Sequence, residues 1–126
     1  MWRNSDPIRP PLRGGTPATG QRRRLTTGQR LAQALFDRAG PLARLVRHGE
    51  TQWSSATFSG SRHTLVIHFA GEAAMDDAEA LMTAITEDDI TIPGALIAEL
   101  TVSAFSQALL PHPEAEMTVT ALLLDQ

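Results

Sequence analysis

The segment WSSATFSGSRHTLVIHF, residues 53–69, decides the fold because its apolar side chains alternate instead of recurring every third or fourth residue. Gly60-Ser61 stands between its two halves, and a Gly-X pair suits a two-residue hairpin turn whose first position has a positive φ. The segment therefore predicts two antiparallel strands, 53–59 and 62–69. In the second strand alternate residues point to opposite sides: Leu65, Ile67 and Phe69 to one, Val66 and His68 to the other.

Helical patterns flank this hairpin. Thr26 and Gln29 have the spacing of a capping box, which predicts a helix that begins there and ends near Ala39. Residues 71–87 form a second helical pattern, with carboxylates in its early turns. The predicted core side chains of the two helices are Leu31, Leu35 and Phe36 in the first, and Ala74, Ala78, Leu81, Met82 and Ile85 in the second.

A second alternating pair follows at residues 95–106 and 115–124. Leu96, Ala98, Leu100, Val102 and Ala104 are expected on one side of the first of these strands. The order αββαββ predicts an α+β fold in which two helices pack on one face of a four-stranded, mostly antiparallel sheet. The other face would be partly polar and partly apolar, which is typical of an interface and also of an exposed face that binds nothing. We therefore expect self-association, through that face or through an edge strand.

The N-terminal segment differs from the rest of the chain. Residues 1–24 are rich in Arg, Pro and Gly and poor in apolar side chains, so we predict a disordered tail and a single α+β domain over residues 25–126. All eleven Arg lie between Arg3 and Arg62, so residues 1–62 carry 11 − 3 = +8, and residues 63–126 carry eleven carboxylates and no basic residue. The basic half could bind an anionic partner or nucleic acid through its tail, or it could dock on the acidic half.

Composition excludes several classes of function. The chain has no cysteine, which removes disulfides, thiol nucleophiles and Cys-ligated metals. It has no tyrosine and few aromatic side chains for stacking bases, so nucleic-acid binding by the sheet is not expected. No apolar run reaches the length of a membrane span, and none follows the first basic residues as in a secretory signal. We expect a cytoplasmic protein without cofactor or metal.

The stretch LVRHGETQW, Leu45–Trp53, resembles the signature of the histidine phosphatases. The resemblance covers nine residues, and Ser54 stands where the family has Asn. It implies a phosphoryl hydrolase in which His48 is the nucleophile and Arg47 binds the phosphoryl oxygens.

The same residues also have the pattern of a helix end. Leu42, Leu45 and Val46 have helical spacing, Gly49 suits the position after a helix C-terminus, and cations favour the last turn. After residue 53 the chain has one arginine, Arg62, which lies in a predicted hairpin, and none of the later histidines lies in the small-residue turn that the family uses. We therefore predict no catalytic, cofactor-binding or metal-binding residue, with His48 and Arg47 as the alternative.

Other polar residues give weaker patterns. His63 and His68 are five residues apart in a strand and should lie on opposite faces, so they cannot share a metal. No serine stands in a recognisable triad context. The leading hypothesis is a non-catalytic protein-interaction module that forms homo-oligomers. The alternatives are the phosphoryl hydrolase and anion binding through the N-terminal tail.

Overall fold

The computed structural model describes residues 25–126, and the predicted disordered tail lies outside them. The predicted order αββαββ is confirmed, and the four strands form one antiparallel sheet in the order β1-β2-β4-β3. The elements are α1 (Thr27–Ala39), β1 (Ala43–Ser54), β2 (Ser59–Ala70), α2 (Glu72–Glu87), β3 (Ala95–Ala108) and β4 (Glu114–Asp125).

The start of α1 is the predicted capping box. The amide of Gln29 donates to Oγ1 of Thr26 at 3.1 Å, and the amide of Thr26 donates to Oε1 of Gln29 at 2.8 Å. Gly40 ends the helix with φ 86°, a conformation that side chains with a Cβ rarely adopt. Its amide donates to the carbonyl of Phe36 at 3.1 Å, which closes the last turn.

Residues 43–54 correct two predictions. They form strand β1 and not a helix end, and the hairpin turn lies at residues 55–58 instead of at Gly60-Ser61. The β1–β2 register shifts between Leu45 and Arg47, which marks a β-bulge at Val46. A bulge adds one residue to a strand, here Val46 directly after Leu45, so the alternation of β1 is interrupted at two of the residues whose spacing suggested a helix.

The core lies between the helices and one face of the sheet. Alternate residues of the two central strands point into it, as the sequence predicted. Each helix contributes apolar side chains to this core, and the segment of residues 90–95 between α2 and the start of β3 contributes further ones. The largest fully buried apolar side chains are Leu31, Leu35, Leu65, Ile67, Phe69, Leu81, Met117, Val119 and Leu123.

Strand β3 departs from the clean alternation that the sequence predicted. Its register with β4 shifts at Ala98 and at Ser103, so it contains two bulges. Each bulge reverses the side to which the following residues point. Leu100 and Val102 therefore pack on the core side, whereas Leu96 lies on the opposite side with 51% of its surface exposed. None of the helices found between residues 25 and 126 has the length and apolarity needed to cross a lipid bilayer.

Candidate functional site

The two residues of the phosphatase-like motif lie on opposite faces of the sheet. Arg47 pairs with Val66 and points away from the helices, whereas His48 pairs with Leu65 and points towards them. Arg62 is also on the face away from the helices, where its guanidinium contacts the carboxylate of Glu99 at 3.4 Å. The structure therefore does not bring an arginine of β1 or β2 to the imidazole of His48, as phosphoryl transfer would require.

His48 belongs instead to a chain of three hydrogen-bonded side chains. Its Nε2 lies 2.9 Å from Nδ1 of His63, and the two rings are tilted by 56° with their centroids 5.1 Å apart. The Nε2 of His63 lies 2.7 Å from Oγ of Ser61. We call Ser61, His63 and His48 the Ser–His–His relay.

Strand geometry explains how the relay forms. Ser61 and His63 are two residues apart in β2, so both point towards the helices. His48 points the same way from β1, where its neighbour in register is Leu65. Gly28, in the first turn of α1, lies directly over the imidazoles: an added Cβ would be 2.9 Å from Cε1 of His63 and 3.2 Å from Cε1 of His48. A glycine at this position therefore gives the rings their space.

The relay passes from the interior to the edge of the sheet. His63 has no exposed surface, Ser61 retains 6% exposure, and His48 is partly exposed on the edge strand β1. Burial lowers the pKa of His63 below its usual 6.5; the carboxylate of Glu50 opposes this effect, and the imidazole of His48 adds to it. His63 is therefore neutral at pH 7.

A neutral His63 allows a consistent set of donors and acceptors. The Ser61 hydroxyl donates to Nε2 of His63, and Nδ1–H of His63 donates to Nε2 of His48; the opposite tautomers reverse both bonds. In the first arrangement a hydroxyl, a base and a group that orients the base follow one another. This is the order in which serine nucleophiles are activated.

The prediction that no serine has a triad-like context was therefore wrong. The prediction placed Ser61 in a turn, and His48 reaches the relay only through the pairing of two strands. The sequence signal for the relay was the spacing of Ser61 and His63, which lie two residues apart, as on one face of a strand. This signal could be used only if the hairpin turn was placed before Ser61. The separation of His63 and His68 is confirmed, since His68 points away from the helices and contacts Glu114 at 3.0 Å. Within residues 25–126 no three His, Asp or Glu side chains are grouped as metal ligands.

A second candidate site is the face of the sheet opposite the helices, which we call the open face. Cross-strand register places its residues in rows. One row is apolar, one central row is rich in threonine, and a third is charged at several positions. These rows are Trp53, Gly60, Leu124 and Leu96; then Gly49, Thr64, Thr120 and Thr101; then Arg44, His68, Glu116 and Ser106.

Charge on the open face is divided between its two sides. Arg44 and Arg47 lie on β1, whereas Glu99 lies on β3 and Glu114 and Glu116 lie on β4. One side of the face is therefore basic and the other acidic. The arginines of the N-terminal tail lie outside the described residues. No protein-family model matches the chain, and no curated protein and no solved structure matches it either.

Proposed function

We propose that this small α+β protein is a protein-association module, as the sequence led us to expect, and that its partner is a second copy of itself bound through the open face. The observation that carries the proposal is the self-complementary character of that face. Both helices pack on the other side of the sheet, and the open face combines a basic side, an acidic side and an apolar row. The cytoplasmic location expected from the sequence is part of the same proposal.

A two-fold axis parallel to the strands would use this complementarity. Such an axis places β1 of one protomer over β3 of its partner, so basic and acidic sides meet twice. It also brings Trp53 over Leu96 of the partner, because both belong to the same row. Stacked sheets normally lie about 10 Å apart, which long side chains such as arginine and tryptophan bridge.

The area of the open face is sufficient for a stable dimer. Three of the strands have 12 residues and β3 has 14. With strands about 4.8 Å apart and a rise of about 3.3 Å per residue, four strands of this length cover roughly 750 Å². Stable interfaces bury about 600–1,000 Å² per partner, and the area of the sheet alone lies within that range.

The test is the molecular mass of the full chain in solution over a range of concentrations. We expect a dimer for the natural protein and a monomer for Leu96→Asp, because that substitution places a carboxylate in the apolar row. Leu110→Asp is the matched control, since Leu110 is 84% exposed in the β3–β4 connection and should not affect the mass. A natural protein that stays monomeric at every concentration, or a Leu96→Asp variant with unchanged mass, would contradict the proposal.

Salt separates this proposal from binding through the arginine-rich tail. Contacts between arginines and phosphates weaken steeply as the salt concentration rises. Association through the open face buries its apolar row as well as its charges and should therefore persist in 0.5 M salt, whereas binding through the tail should be lost. A dimer that dissociates completely in high salt would therefore argue against the open face.

A further inference from the structure

We propose that Ser61 is a base-activated nucleophile that accepts the acyl group of a small ester, with His63 as its general base and His48 as a positioning residue. The relay lies on the helix side of the sheet, so this activity is independent of association through the open face. The inference rests on the order of the three groups and on their two hydrogen-bond distances, 2.7 Å and 2.9 Å.

Each nitrogen of His63 has its own role in this arrangement. Nε2 contacts the hydroxyl from which it takes the proton, and Nδ1 contacts His48, which fixes the tautomer and the orientation of the ring. The first turn of α1 at Gly28 holds the ring from above. Burial keeps the imidazole neutral and thus able to accept a proton at pH 7.

Exposure limits the substrate to a small acyl donor. Ser61 retains 6% of its surface and lies next to Gly60, close to the end of the β1–β2 hairpin. Only a compact acyl donor can approach a hydroxyl with so little exposed surface, whereas a folded polypeptide cannot. We therefore infer a small ester as the substrate class.

The reaction needs no further reagent than water. Oγ of Ser61 attacks the carbonyl carbon while its proton passes to Nε2 of His63. The C–O bond to the leaving alcohol then breaks, and the alcohol departs with that proton, which leaves an acyl ester on Ser61. Water, deprotonated by the same imidazole, releases the acid and restores the serine.

A small alkyl fluorophosphonate tests the nucleophile directly, because the serine displaces fluoride and keeps the phosphonyl group. We expect mass spectrometry of the full chain to find one label, at Ser61, and to find none in Ser61→Ala. Ser59→Ala is the control: Ser59 lies on the same strand, is exposed, and contacts Asp125 at 3.2 Å instead of an imidazole. Label at Ser59 but not at Ser61 would show that exposure governs the reaction and would overturn the proposal.

A cysteine substitution gives a second test, because the natural chain contains no cysteine. The Ser61→Cys and Ser59→Cys variants each have a single thiol, and an adjacent base lowers a thiol pKa. At pH 6 we expect iodoacetamide to alkylate Ser61→Cys about tenfold faster than Ser59→Cys, in spite of its burial. Equal or slower alkylation of Ser61→Cys in a folded protein would contradict an activated position.

The role of His48 has its own readout, the pH profile of labelling. In His48→Glu a carboxylate faces Nδ1 of His63, which should raise the pKa of that imidazole and move the profile to higher pH. In His48→Ala the labelling rate should fall at every pH. An unchanged profile and rate in both variants would remove His48 from the proposal.

Discussion

Gly28 shows how the absence of one side chain can leave space for a buried polar group. It occupies the first turn of α1, where helix propensity alone favours alanine over glycine by about 1 kcal/mol. An added Cβ would nevertheless approach Cε1 of His63 to 2.9 Å, and that ring is fully buried and hydrogen-bonded at both nitrogens. At this position the free energy lost through that close contact exceeds the free energy gained from the higher helix propensity of alanine.

We predict that Gly28→Ala destabilises the fold. Overpacking a core typically costs about 1–3 kcal/mol, so after the gain in helix propensity a net loss of roughly 1 kcal/mol remains. Urea denaturation measures it, with Gln33→Ala on the exposed side of α1 as the control that should lose nothing. A Gly28→Ala variant more stable than the natural protein would mean that the imidazoles are not packed against the helix.

His63 makes stability depend on pH. The unfolded chain binds a proton on this imidazole near pH 6.5, whereas burial lowers the pKa of the folded form. The contribution is therefore fully present above pH 6.5 and is lost as the pH falls from 6.5 towards the folded pKa. Glu50 and His48 on β1 are the titratable neighbours, and Gly28 adds no charge from α1.

The free energy of unfolding should accordingly decrease between pH 7 and pH 5, and urea denaturation at several pH values measures the slope. His63→Gln should reduce this slope. His112→Gln, which removes an exposed imidazole from the β3–β4 connection, should leave it unchanged. Equal slopes in the natural protein and in His63→Gln would show that another group controls the acid sensitivity.

Among the elements, the helices and central strands were predictable because one face of each is buried. Strand β2 alternates at Leu65, Ile67 and Phe69, and β4 alternates in the same way, since the core selects every second residue. The capping box of α1 is a local pattern and needs no tertiary information.

Strand β1 was not predictable because it has no buried face that would select every second residue. It is an edge strand with mostly exposed side chains, and the bulge at Val46 breaks its alternation. The relay was missed with it: once residues 43–48 were assigned to a helix, His48 could not be placed beside His63. A functional group that depends on the register of two strands is visible only when the strands are assigned correctly.

Two threonines provide a prediction at the level of the helices. Thr26 caps α1, whereas Thr86 lies in the last turns of α2 and donates back to the carbonyl of Met82 at 3.0 Å. Loss of an N-cap costs about 1 kcal/mol, while a back-bonded threonine slightly weakens its helix. Thr26→Ala should therefore lower the midpoint of urea denaturation, and Thr86→Ala should leave it equal or slightly higher. Equal losses would mean that the capping box contributes nothing specific.

At the scale of the whole molecule, charge is separated between the two sides of the open face. Arg44 on β1 and Glu116 on β4 belong to the same row across the sheet. In the proposed dimer the Arg44 of each protomer lies over Ser106 of its partner, one strand (about 4.8 Å) from Glu116 of that partner, so the long arginine side chain can contact this carboxylate and the contact occurs twice. This symmetry permits a test in which two defective variants restore each other.

We predict that Arg44→Glu and Glu116→Arg each raise the dissociation constant of the homodimer by about tenfold or more, because like charges then lie close together twice across the interface. Mixed in equal amounts, the two variants should form a heterodimer nearly as stable as the natural dimer. In that heterodimer the new carboxylate of one chain lies near the new guanidinium of the other, and the unchanged Glu116 and Arg44 form the second pair. Sedimentation of fluorescently labelled chains measures all three constants.

Glu79→Arg, which makes the same change of charge on the exposed side of α2, is the control that should leave the dimer intact. If the mixture associates no better than either variant alone, the two residues do not contact each other across the interface, and the two-fold arrangement of the open faces is wrong.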